Sequence, residues 1–126
     1  EKGKGAFLNR RPISTSADSL DFSLAAFGTG TYDMNLTWKL AAAYCEKALD
    51  IRRSGAGALD LCNVACGRTG IFWELTLKPW DFAAGALIVE EAGGSIKNYD
   101  GSPLTDYFAV QSVFALANPK IPILKV

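Results

Sequence analysis

Strands alternating with helices predict an α/β chain, a sheet with helices packed on it. Three observations carry that reading. Ile71-Phe72-Trp73-Glu74-Leu75 is rich in aromatic and branched residues and reads as a strand. Apolar residues recur at helical spacing over 35–50, 55–66 and 81–91, and the last two stretches stop at Gly67 and Gly93-Gly94. No internal repeat, linker or low-complexity segment interrupts the pattern, and 126 residues suffice to bury one core.

In chain order, Ala6-Phe7-Leu8 and Pro12-Ile13 flank Asn9-Arg10-Arg11 and predict a hairpin. A type I′ turn wants positive φ at both central residues, so Arg10 predicts strain or another turn type. Residues 20–27 alternate loosely and predict a strand ended by Gly28-Thr29-Gly30. Asn35 is a candidate cap for a helix running to about Asp50, with Leu36, Leu40, Ala43-Tyr44 and Lys47-Ala48 on one face. Ile51-Arg52-Arg53 reads as a short extended piece. The helix over 55–66 is apolar on almost every side apart from Asp60 and Asn63, which predicts burial. Residues 95–99 and 113–116 read as strands joined by a loop around Asp100-Gly101-Ser102-Pro103.

Composition excludes several function classes. Thirteen basic and thirteen acidic residues cancel, so there is no electrostatic case for nucleic acid as a default partner. No apolar run reaches membrane-spanning length, and no membrane partner is expected. The chain has no histidine, which rules out Ser-His or Cys-His nucleophilic catalysis within it. Cys45, Cys62 and Cys66 are odd in number and fall in helical patterns, which suits a reducing cytoplasm. Cys62 and Cys66 lie one helical turn apart without further soft ligands, so they read as small core residues rather than a zinc site.

The chemistry-bearing candidates are few. In Lys78-Pro79-Trp80-Asp81-Phe82-Ala83-Ala84-Gly85 one carboxylate stands where an extended segment becomes a helix. Unpaired N–H groups and the positive end of the helix dipole favour an ionised carboxylate there. Asp81 is therefore either a structural N-cap or a ligand for a hard cation such as Mg²⁺, which needs further oxygen donors. Gly55-Ala56-Gly57 opens a buried helix, either for close helix–sheet packing or to let a ligand approach the backbone. Glu74 sits in an apolar strand, on its solvent side or aimed into a cleft; residue preference alone favours solvent. Asp60 would need a partner if desolvated, and Arg52 or Arg53 is the expected ion-pair mate in a structural or interfacial cluster. Glu90 and Glu91, at the unfavourable end of a helix, predict a solvated face. Residues 27–32 superficially resemble a dinucleotide loop, but the third glycine is missing and no helix follows at once.

Trp80-Asp81-x-Ala83-x-Gly85 resembles the second signature motif of the inositol monophosphatase family of Mg²⁺-dependent sugar phosphatases. Gly3-Lys4-Gly5-Ala6-Phe7-Leu8-Asn9, Ile51-Arg52-Arg53-Ser54-Gly55, Ala58-Leu59-Asp60-Leu61-Cys62, Val64-Ala65-Cys66-Gly67, Glu90-Glu91-Ala92-Gly93-Gly94 and Asp100-Gly101-Ser102-Pro103-Leu104 follow in the family's order and spacing. The resemblance covers Gly3 to about Asn118. In the family, Arg10 stands where glycine is usual. The resemblance implies the second half of a layered αβαβα sandwich, with a mixed five-stranded sheet flanked by helices. It implies Asp81 as a Mg²⁺ ligand, Gly55, Ala56 and Gly57 as backbone contacts to ring hydroxyls, and Glu74 as a hydrogen-bond partner of a substrate hydroxyl. The family's first motif, Asp-Pro-Ile-Asp-Gly-Thr, and an upstream Glu-Glu pair supply the remaining ligands, and neither occurs in this sequence. Residues 1–126 are thus expected to be the C-terminal subdomain of a longer phosphatase, inactive alone, with no catalytic residue beyond the metal ligand. The implied partner is a phosphorylated polyol, and the intact protein is expected to be a homodimer. Fructose-1,6-bisphosphatase-like and nucleotide 3′-phosphatase-like members share Asp-x-Ala-x-Gly and remain alternatives. So does a non-catalytic sugar-binding or interaction module.

Overall fold

The computed structural model describes residues 1–30 and 33–126; Thr31 and Tyr32, the end of the glycine loop, lie outside the described residues. A small hairpin comes first, β1 (Phe7–Leu8) and β2 (Arg11–Pro12), antiparallel with Leu8 opposite Arg11. Asn9 and Arg10 both have positive φ, 51° and 66°, so the turn keeps the type I′ shape with Arg10 where glycine would be relaxed. The strand expected over 20–27 is shorter: Leu20–Phe22 form a 3₁₀ turn, and only β3 (Leu24–Phe27) is extended. Ser23 closes that turn, its hydroxyl donating to the Ser19 carbonyl, which takes those residues out of the ladder.

Helix α1 spans Met34–Lys47, and its cap is Asp33 rather than Asn35. The Asp33 carboxylate accepts the Leu36 N–H at 3.0 Å from a left-handed backbone, φ 49°. The helix stops before Asp50 because Asp50–Arg52 pair as strand β4 alongside β3. Helix α2 (Gly57–Ala65) begins two residues later than expected, and Gly67, φ 81°, turns the chain away just after its Cys66 cap. Strand β5 (Ile71–Leu77) leads into α3 (Pro79–Glu91), followed by β6 (Ser95–Lys97) and β7 (Gln111–Leu116).

The five-stranded sheet has the order β4-β3-β5-β7-β6. The β3–β4 and β3–β5 pairs are parallel, while β5–β7 and β6–β7 are antiparallel. The sheet is therefore mixed, and helices cover both faces. On one face Trp73 stacks with Phe27 at 5.2 Å and with Tyr44 of α1 and Phe114 at 6.0 Å each. The Tyr44 hydroxyl, its pKa pushed up to about 12 by burial, donates to the Pro122 carbonyl and accepts the Leu124 N–H, fastening the C-terminal strap. On the other face Phe72 packs with Leu61 and Val64 of α2 and Phe82, Ala86 and Val89 of α3. The two helices approach closely at Gly85, where a β-carbon would lie 2.6 Å from the Leu61 Cδ1.

Helix α2 is less enclosed than its sequence predicts. Asp60, Leu61, Val64 and Ala65 are buried, but Leu59 is 64% exposed. The three cysteines are free; Cys62 and Cys66, read as core residues, are only half-buried, and Cys45 is exposed. The Glu91 carboxylate is also not simply solvated. It accepts the N–H groups of Gly3 at 2.7 Å and Gly5 at 2.8 Å, which holds its pKa below the usual carboxylate value.

Candidate active site

Parallel strands point their carboxyl ends in one direction, and the loops that leave those ends form the crevice of an α/β sheet. Here β3 gives way to Gly28, β4 to Arg53-Ser54, and β5 runs on into the start of α3. The starts of α2 and α3 follow at the same edge. Every candidate from the sequence, Gly55, Ala56, Gly57, Glu74 and Asp81, belongs to these segments.

Alternation along β5 decides where Glu74 points. Ile71 and Trp73 face α1, so Phe72 and Glu74 face α2 and α3. Glu74 is half-buried, contrary to the preference for solvent that its residue type suggests. It fills the space beside Gly28, where an added methyl group would overlap the carboxylate. It also reaches Gly57, with Oε2 3.6 Å from where a β-carbon there would stand. Burial pushes the Glu74 carboxyl up, and the negative charge of Asp81 pushes it further, with Arg53 opposing. Just past Glu74 the β5–β7 register slips, so Leu77 rather than Thr76 returns to the α2/α3 side. Such bulges re-aim side chains at the rim of a site.

Asp81 lies in the first turn of α3 and is exposed. The N-cap position belongs to Lys78, Pro79 follows at the first helical position, and no side chain caps the helix. The Asp81 N–H bonds the Lys78 carbonyl at 2.9 Å, while its carboxylate makes no hydrogen bond among the described residues. The capping role is thus set aside, and two oxygens remain for a ligand. Oxygen donors of this kind suit a hard cation. Their number does not: among the described residues no group of three acidic, cysteine or histidine side chains could hold a metal ion.

The Gly55-Ala56-Gly57 bend leads into α2 with Gly55 at φ 83°, a conformation that favours glycine. The Ala56 N–H is already taken by the Ser54 hydroxyl at 3.1 Å, and of the two glycines only Gly57 has Glu74 among its nearest neighbours. Helix α2 has no side-chain cap, which leaves free donors at its first turn.

The expectation that Arg52 or Arg53 pairs with Asp60 is corrected. Asp60 is bonded by Ser54 at 2.8 Å instead of by an arginine. Arg52 pairs with Asp50, and Arg53 donates from Nε and Nη2 to the Thr29 hydroxyl at 3.0 and 2.6 Å. Asp50 is only two residues from Arg52, whereas Thr29, 24 positions from Arg53 in sequence, comes within reach because β4 lies beside β3. Sequence reasoning missed Gly28, Thr29 and Ser54. A glycine directly ending a strand beside an inward-facing acid is the one signal that could have revealed Gly28.

A mixed sheet with the candidate oxygen groups at the carboxyl ends of its parallel strands is the architecture of an α/β protein. The profile of the inositol monophosphatase family matches residues 1–121, and the chain belongs to that family. It is 46% identical over 106 residues to inositol-1-monophosphatase of Synechocystis sp., covering 79% of this chain and 36% of that protein. It is 38% identical over 128 residues to Nus factor SuhB of Escherichia coli (strain K12), covering 95% of this chain and 45% of that protein. The solved structure of inositol monophosphatase from Anabaena (Nostoc) sp. PCC 7120 superposes with a TM-score of 0.82 at 38% identity, over 91% of this chain and 46% of that one. The chain therefore spans less than half the length of these relatives.

Proposed function

We propose that the protein carrying this chain is a Mg²⁺-dependent phosphatase that hydrolyses inositol monophosphate or a related phosphorylated polyol. The observation that supports this most is that the Asp81 carboxylate, exposed in the first turn of α3, makes no hydrogen bond among the described residues while its charge acts on the half-buried Glu74. Asp81 would hold the metal as one ligand among several, the others lying outside this chain. The bound metal would polarise the phosphate and stabilise the leaving alkoxide. Glu74 accepts a hydrogen bond from a substrate hydroxyl, and Gly55, Ala56 and Gly57 present backbone to the ring. The reading takes the protein as cytoplasmic and homodimeric, the latter measurable by light scattering.

The test is phosphate release from inositol 1-phosphate by the full-length protein with Mg²⁺. Activity should vanish with chelator and return with added Mg²⁺, and residues 1–126 alone should be silent. No release from any polyol phosphate overturns the proposal; turnover by the isolated chain overturns the incomplete site.

The likeness to a protein named as a Nus factor favours a second reading, an assembly role independent of phosphate chemistry. Asp81→Asn separates the two, since it abolishes hydrolysis and leaves an assembly role intact.

A further inference from the structure

Asp60 is 3% exposed, yet its carboxylate has one hydrogen-bond partner among the described residues, the neutral hydroxyl of Ser54. A buried carboxylate held so thinly is a poor stabiliser, because desolvating it costs more than one neutral hydrogen bond returns. Burial accordingly pushes its pKa up, against the opposing pull of Ser54 and the more distant Arg53. The arrangement makes sense through what Ser54 does next. A hydroxyl has one proton. Donated to Asp60 at 2.8 Å, it leaves a lone pair aimed at the Ala56 N–H, 3.1 Å away. Three groups thus form a relay from α2 back to the bend that opens it. That bend needs a restraint, since Ala56 at the cap position has no side-chain acceptor and Gly55 is conformationally free.

We propose that Asp60 is a positioning residue: through Ser54 it fixes the Gly55–Gly57 bend against Glu74, and thereby sets the preference for hydroxyl-bearing phosphates. This rests on the phosphatase reading above. Asp60 touches neither phosphate nor metal. Its effect is confined to the polyol end, where Gly57 and Glu74 face each other. A merely structural carboxylate would affect all substrates alike.

The experiment compares inositol 1-phosphate with p-nitrophenyl phosphate, which has no ring hydroxyls, using the full-length protein. Asp60→Ala should lower kcat/KM for inositol 1-phosphate about tenfold, mostly through KM, the effect of one modest hydrogen-bond-sized interaction. Its kcat/KM for p-nitrophenyl phosphate should stay within about twofold of wild type, as for an interaction that substrate never makes. Ser54→Ala, an exposed position, should reproduce the loss, and it decides the matter if Asp60→Ala fails to fold. Asp60→Asn keeps an acceptor for Ser54 and should restore the preference. The double variant should lose no more than either single one, as members of one relay do. An unchanged substrate ratio in Asp60→Ala and Ser54→Ala, with wild type active, overturns this inference alone. A wild type inert toward both substrates overturns the phosphatase reading and this inference with it.

Discussion

Asp33 and Asp81 both stand at the start of an apolar helix, yet only Asp33 is bonded to its own helix. Asp33 turns left-handed so that its carboxylate meets the Leu36 N–H. At α3 the need for such a bond is smaller, because Pro79 occupies the first helical position and has no N–H to satisfy. The Asp81 charge at the α3 start also acts on Glu74. The difference teaches that a helix-opening acid becomes available for chemistry when the backbone before it makes capping dispensable.

Substitutions can break or sharpen this contrast. The largest effect is expected at Asp81. Asp81→Asn in the full-length protein should reduce Mg²⁺-dependent phosphate release by about 100-fold or more, the scale of losing several kcal/mol of charge stabilisation. Its unfolding free energy should fall by no more than about 0.3–1 kcal/mol, the helix-dipole contribution. A destabilisation well beyond that with activity kept would return Asp81 to a structural role.

Glu74→Gln comes next. The folded-state pKa of Glu74 lies above its ordinary 4.5, so the native state holds its proton more tightly than the unfolded chain does. Its carboxylate therefore opposes folding at neutral pH, and that opposition disappears as pH falls below the ordinary value. Glu74→Gln should raise stability at pH 7 by roughly 0.5–2 kcal/mol, as replacements at functional sites commonly do. The gain should vanish in denaturant titrations at acid pH. A gain that persists there would locate its cause elsewhere than in the charge.

The smallest effect belongs to Asp33. Asp33→Ala removes the cap and should cost about 1 kcal/mol in chemical denaturation. Phosphate release at temperatures where the protein remains folded should be unchanged. A loss of turnover there would erase the contrast.

Much of the fold was legible because alternation and helical spacing are strong along this chain. Trp73 and Phe72 declare a strand buried on both faces, but residue preference sent Glu74 to solvent, and its shared side with Phe72 against α2 and α3 emerges only from the packing. The β-bulge beyond Glu74 was not legible, since nothing in Leu75-Thr76-Leu77 marks an extra residue. Asn35 looked like the cap because Asn and Asp are equally favoured there, so residue type does not choose between positions 33 and 35. The bond of Glu91 to Gly3 and Gly5 spans 88 and 86 positions, beyond any local pattern. At the site, Asp81 and the Gly55–Gly57 bend came from motif spacing, whereas Ser54 as partner of Asp60 depends on how the bend folds back.

Gly28 carries a consequence for how this protein could change. The room that a side chain would need there is filled by the tip of a pliable acid instead of by rigid main chain. An alanine could therefore be accommodated by swinging that acid aside, leaving the sheet whole. Altered ligand choice, rather than misfolding, is the outcome such a replacement would bring to light.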